Sequence, residues 1–513
     1  MLAKTFSAAI NGVDAYLVEI EINATGHGQN IVSIVGLPDT AVKESKDRVH
    51  SALCNSGFYY PSGLTVINLA PADIKKEGAS FDLPIALGII AATGEIDREK
   101  LSKTMLLGEL ALDGSVRPIK GLISIGLFAR KLKNIDALLV PFLNADEAAV
   151  AANGLPVYPI KNLQEAVGFF SDTSTIQPCR PDINNFFSSP QIEPIRDFAD
   201  VKGQDCAKRA LEIAAAGGHN VLMIGPPGAG KSMLAKRVSG ILPPMHFEEA
   251  IESSKIHSVL GLLPHNSPFL LKRPYRAPHH TISDAGLLGG QTVPTPGEIS
   301  LAHNGVLFLD ELPEFKRNVL EVLRQPLENG EVTISRAAGT FTFPADFMLI
   351  AAMNPCPCGH YGGNQRVCRC SPYQIQKYRS RISGPLLDRI DMHVELSALS
   401  NDELLQAPKG ESSSEIRNRV VQARKIQELR FASSGIYCNA QMEPVQLQEF
   451  CRLDSQSTAY LRQSINDLQL SARAYDRILR LARTIADLAK EENIKPEHIF
   501  ESVQYRDLDK KLW

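Results

Sequence analysis

Apolar and polar positions change their rhythm along the chain, and the changes divide it. The first residues, MLAKTFSAAINGVDAYLVEIEI, alternate apolar and polar side chains, which predicts strands. Apolar runs of strand length come next at residues 32–35, 64–69 and 137–140, with helical spacing at 40–56 and 82–92 between them. This predicts a mixed α+β domain over residues 1–170. Periodicity then fades into a stretch rich in Ser, Pro, Asn and Asp, which predicts a linker over residues 171–196. From residue 197 the pattern is α/β: a helix at 204–217, an apolar strand at 220–224, a glycine-rich loop and another helix, within a core predicted to run to residue 396. Beyond it the strand pattern vanishes. Helical spacing at 413–430, 456–467 and 471–491 predicts a helical lid over residues 397–513. The expected fold class is multidomain α/β.

Composition narrows the possibilities. The 513 residues are 44% apolar and 22% charged, with a formal net charge of −3, so any nucleic-acid surface must be local, in a pore or a loop. There is no run of about 18 apolar residues and no signal-peptide layout at the N-terminus, which predicts no membrane span and a cytoplasmic location. In that compartment nine cysteines are expected as thiols or metal ligands.

The glycine-rich loop reads GPPGAGKS: Gly225, Pro226, Pro227, Gly228, Ala229, Gly230, Lys231 and Ser232. It fits G-x-x-x-x-G-K-[ST] at every fixed position, between an apolar strand and a helix. Its backbone N–H groups are expected to wrap a phosphate, with Lys231 reaching the β- and γ-phosphates of ATP and Ser232 binding Mg²⁺. The plain alternative, a structural glycine turn, does not account for that context. A second element, GVLFLDE at 305–311, places Asp310 at a strand end for the Mg²⁺ shell and Glu311 to polarise the attacking water. A third strand, 347–355, ends at Asn354, which can position that water or merely cap a turn before Pro355. Arg389 lies between core and lid. It can reach the phosphates of a neighbouring subunit, or form a surface ion pair with Asp388 or Asp391. Arg473 sits in the first turn of a helix, where a cation opposes the helix dipole; this hints at an anionic ligand, the alternative being a solubilising surface charge.

Together these residues resemble an AAA+ ATPase of the magnesium-chelatase branch. Residues 273–315 and 379–396 are very similar to the ComM/YifB family of Mg-chelatase-like proteins, and the resemblance covers nearly the whole chain. It implies Lys231 and Ser232 as Walker A, Asp310 and Glu311 as Walker B, Asn354 as sensor 1, Arg389 as arginine finger and Arg473 as sensor 2. It also implies a homo-hexameric ring and a DNA helicase that drives branch migration of recombination intermediates during natural transformation. The rival readings are a protein remodeller or a chelatase-like metal-insertion subunit, and an ATP-dependent protease.

Three further features bear on the choice. Arg276, in the stretch before the Walker B strand, and Arg336, at the tip of a hairpin expected over 331–343, would suit the backbone of single-stranded, forked or branched DNA. The alternative is that these charges hold the ring together. Cys356, Cys358, Cys368 and Cys370 form C-x-C-x₉-C-x-C around His360 and residues 362–363. This set suits structural Zn²⁺, with free thiols or a disulfide as alternatives. Residues 78–90 and 108–122 resemble the Lon protease domain. Ser80 falls at the nucleophile, but Ile123 occupies the place of the catalytic lysine and Lys120 is three positions off. The domain is therefore read as non-proteolytic, serving assembly or substrate engagement.

Overall fold

The structure is a computed structural model that describes residues 2–25, 31–181, 196–264, 267–290, 294–336, 339–362, 366–398, 410–432, 434–468 and 470–506. Most of the expected linker (182–195), the turn of the 331–343 hairpin (337–338), residue 363 of the cysteine loop and the first residues of the lid (399–409) lie outside these. The chain forms two compact units. One comprises residues 1–189 and 247–271, the other 190–246 and 272–513.

In the first unit β1 (Leu2–Asn11) and β2 (Asp14–Ala24) pair antiparallel around the Gly12–Val13 turn. They join β3 (Ile31–Val35), β4 (Leu64–Ala70), β5 (Thr104–Leu106), β8 (Ala137–Pro141) and β9 (Val157–Ile160) in a seven-stranded sheet ordered β3-β4-β2-β1-β5-β8-β9. A small ladder, β6 (Glu109–Leu110) with β7 (Val116–Arg117), stands apart from it. The alternation seen in the sequence sorts side chains between the two faces. Ala3, Ala9, Val18, Ile20 and Ile22 pack under helix Asp82–Thr93, which is apolar all round and buried along nearly its whole length. Phe6 and Ala8 face the other core, with helices Leu122–Ala129 and Ala145–Ala152. Helix Phe247–Leu260 packs against Leu122–Ala129 on this side. There Ser258 donates to the half-buried carboxylate of Glu147, and Lys255 pairs with Asp14. Ile123 is fully buried in helix Leu122–Ala129.

The second unit holds a parallel five-stranded sheet ordered β11-β14-β17-β10-β18. Its strands are β10 (Val221–Ile224), β11 (Tyr275–Arg276), β14 (Val306–Leu309), β17 (Met348–Met353) and β18 (Met392–Glu395). The central three are apolar throughout and fully buried, as a parallel sheet covered on both faces demands. Two short antiparallel pairs branch from it: β12 (Gly289–Gly290) with β13 (Thr295–Pro296), and β15 (Glu331–Arg336) with β16 (Gly339–Pro344). The register brings three strand ends level. Ile224 lies beside both Met353 and Glu395, so β10, β17 and β18 end together, while β14 stops at Leu309 beside Ala351, two residues short of that edge. In open α/β sheets that carboxyl edge is where ligands bind.

Helices Ser413–Arg430, Pro444–Phe450, Ser455–Leu468, Ala472–Leu488 and Pro496–Gln504 complete the unit around a second apolar core. Buried charges tie them to the sheet. Arg477, on Ala472–Leu488, lies 2.8 Å from Asp391, which also accepts from the Asn220 N–H at 2.8 Å. Burial raises the Asp391 carboxyl's pKa, but Arg477, His219 and the Asn220 N–H more than offset this and hold it well below the usual carboxylate range. Stability from this group is therefore present above the ordinary carboxyl value of about 3.9 and is lost as pH falls through the depressed one. Replacing Arg477 by Ala strands a buried carboxylate. Denaturant melts are expected to show about 3–5 kcal/mol lost near neutral pH. A loss under about 1 kcal/mol would mean that this pair does not hold the helices to the sheet.

Candidate nucleotide site

Each element of the site leaves the same sheet edge. After β10 the chain turns through Gly228 and Gly230, both at positive φ, and enters helix Lys231–Arg237. Residues with a Cβ resist that backbone, which is why glycine stands there. Lys231 is only 8% exposed. Its ammonium donates to Gly225 O (2.6 Å), Pro226 O (3.0 Å) and Asn354 Oδ1 (3.1 Å). Burial lowers its pKa below that of an ordinary lysine, while the charges of Asp310 and Glu311 pull it back. Ser232 Oγ donates to Asp310 Oδ2 at 2.5 Å, so hydroxyl and carboxylate face one another at the sheet edge. The sheet thus brings Lys231, Ser232, Asp310 and Asn354 together.

Glu311 comes directly after Asp310 at φ 53 and ψ 47, a left-handed conformation uncommon for a residue with a side chain. Its backbone N–H donates to Asp310 Oδ1 (2.9 Å), and its exposed carboxylate lies 3.3 Å from His280 Nδ1. The His279 ring is 4.1 Å from that of His280. The approach of His280 to Glu311, 31 residues on, leaves no local signal in the sequence.

The two arginines take places that the sequence does not foresee. Arg389 is 9% exposed; it donates to Pro385 O (2.6 Å) and pairs with Glu328, not with Asp388 or Asp391. Arg473 is largely exposed and reaches the same Glu328 at 3.2 Å. The Arg389 hydrogen bond holds the Glu328 carboxyl below its usual range. Arg276 is also engaged, in a bidentate pair with Glu298 at 2.6 Å through both nitrogens. Arg336, by contrast, ends β15 exposed, and among the described residues no carboxylate pairs with it.

The four loop cysteines converge. Sγ–Sγ separations are 3.4 Å (356–358), 3.7 Å (356–368) and 3.6 Å (358–368), and all four sulfurs lie within 4.8 Å of one another. Tetrahedral Zn–S bonds of about 2.3 Å require sulfurs about 3.8 Å apart, so the cluster is close to the size a zinc ion needs. Backbone N–H groups of Arg369 and His360 pull the Cys358 thiol down to about 6, while desolvation and the neighbouring thiols push Cys368 and Cys370 up. The knot abuts the phosphate loop. A Cβ on Gly359 would stand 2.4 Å from Pro227 Cδ. Beside this contact a cavity of about 540 Å³ opens between Pro226, Pro227, His360, Tyr361 and residues 395–398.

Compared with known proteins, residues 197–404 match the family model for magnesium chelatase, subunit ChlI. Residues 18–144 match that for subunit ChlI of Mg-chelatase, and residues 410–506 that for the ChlI C-terminal part. The competence protein ComM of Haemophilus influenzae is 44% identical over 508 residues, 98% of this chain and 97% of its own length. YifB of Escherichia coli is 42% identical over 512 residues, 100% of this chain and 98% of its own. The magnesium-chelatase 38 kDa subunit of Rhodobacter capsulatus is 25% identical over 187 residues, 33% of this chain and 53% of its own.

Proposed function

We propose that this chain, which belongs to the ComM/YifB family of magnesium-chelatase-like proteins, is an ATP-driven hexameric motor that moves branch points in DNA. The family implies ATP hydrolysis with Mg²⁺. Lys231 and the loop N–H groups bind the phosphates, Ser232 and Asp310 hold the metal, Glu311 polarises water and Asn354 positions it. Arg389 is offered to the nucleotide of a neighbouring copy and Arg473 to a γ-phosphate. The name of the Haemophilus relative, a competence protein, supports a role with incoming DNA.

The observation that carries the DNA reading is the β15–β16 hairpin. It presents Arg336 exposed, with no carboxylate neutralising it among the described residues. Arg276 is spent on Glu298 and is not part of this surface. Six such hairpins in a ring would meet a phosphate backbone with six arginines, although the whole chain carries a net charge of −3. Cys356, Cys358, Cys368 and Cys370 hold zinc in this reading; the metal supplies rigidity to a loop that leans on Pro227.

Forked or four-way DNA is expected to raise ATP turnover and to be unwound, and a flat response across DNA structures contradicts the motor reading. Arg336→Ala should weaken DNA binding and lower its log–log salt slope by about 1 per chain contact. Metal analysis of the purified chain should find zinc at about one per chain. A zinc-free preparation with full turnover and an unshifted melting temperature would remove the metal.

A further inference from the structure

Glu328 belongs to no motif, yet it meets both arginines that the proposed ATPase cycle needs. It lies in helix Arg324–Asn329. One carboxylate oxygen accepts from Arg389 and the other from Arg473. Among the described residues no other carboxylate pairs with either arginine. A carboxylate presents to a guanidinium the same oxygen geometry as a phosphate, with less charge. Glu328 is half-exposed and its contact to Arg473 is open to solvent, so that contact is weak enough to exchange, while Arg389 meets the carboxylate from a buried position.

The backbone next to Glu328 gives that exchange a consequence. Only Asn329 and Gly330 separate the carboxylate from β15. Gly330 N–H donates to Pro326 O (2.9 Å), and Ala345 N–H donates to Gly330 O (2.7 Å). The helix bearing the carboxylate is thereby pinned to both strands at the base of the hairpin that presents Arg336. A shift of that helix reaches the hairpin without passing through any long loop.

We propose that Glu328 is a positioning residue: a resident carboxylate that holds Arg389 and Arg473 until nucleotide phosphates replace it, so that nucleotide arrival is felt at the base of the β15–β16 hairpin. This rests on the reading of Arg389 and Arg473 as phosphate-contacting arginines. Glu328 competes with ATP for the same two side chains, and its release frees the helix and hairpin to move.

The test is ATP titration of the full chain with and without forked DNA. In Glu328→Gln the competing charge is gone. The ATP concentration for half-maximal turnover should fall about fivefold, the range expected of a half-exposed ion pair. The maximal rate without DNA should hold, and stimulation by DNA should shrink. Glu328→Asp, which keeps the charge on an arm too short to span both arginines, should move the half-maximal concentration the same way; it decides the matter if the Gln variant does not fold. An unchanged or higher half-maximal concentration in the folded variant overturns the proposal. Arg389→Ala serves as the separate control. Turnover surviving in it removes the premise about that arginine. Its inactivity, combined with wild-type ATP dependence in Glu328→Gln, removes only the role of Glu328.

Discussion

Lys231 is a buried ammonium among neutral oxygens. Gly225 O, Pro226 O and Asn354 Oδ1 accept its hydrogen bonds, and among the described residues no carboxylate pairs with it. Burying a charge is costly, and burial lowers the amine's pKa although the charges of Asp310 and Glu311 partly offset it. Such a side chain is held ready for an anion. The rest of the second unit can be understood as what holds it there: fully buried strands ending at or near one edge, a loop closed by Gly228 and Gly230 at positive φ, and Asn354 one residue beyond β17. Phosphate arriving at the loop would relieve the buried charge. The same event would free Asn354 Oδ1 to position a water.

Charge is arranged differently around the arginines. Arg389 and Arg473 are neutralised by Glu328, and Arg276 by Glu298. Asp391 is neutralised by Arg477, in a buried contact that fixes helix Ala472–Leu488 and with it the place of Arg473. The unpaired cations among those singled out are Lys231 at the loop and Arg336 at the hairpin. These are the two places where the proposed function needs an outside phosphate, one from ATP and one from DNA.

How much of this could be read in the sequence depended on distance along the chain. The phosphate loop, Asp310, Glu311 and Asn354 are legible in local motifs, because a buried parallel strand needs an unbroken apolar run and the chemistry sits at its end. The β15–β16 hairpin is legible in alternation. The partners of the arginines are not. Glu328 lies 61 residues from Arg389 and 145 from Arg473, and no periodicity marks a carboxylate as belonging to either. Nor does the pattern of helix Phe247–Leu260 tell which core it joins. An apolar face says that a helix is covered, not by what, and this one packs on Leu122–Ala129 although it comes after the phosphate loop in sequence. The cysteines are legible as a possible metal set from their spacing, and the structure brings all four sulfurs within 4.8 Å of one another.

The proposed site is shared: Lys231 from one chain, Arg389 from the next. Mixing two inactive variants of the full chain tests this most directly. Lys231→Ala lacks the loop amine but keeps Arg389, and Arg389→Ala keeps the loop but lacks the arginine. Each alone should be without ATP turnover. Mixed in equal amounts and allowed to assemble, they form interfaces where an intact loop meets an intact arginine, so turnover should return to a measurable fraction of the wild-type rate. Two inactive variants whose mixture stays inactive although they assemble together, or an Arg389→Ala chain that turns over ATP by itself, would contradict a site built from two copies.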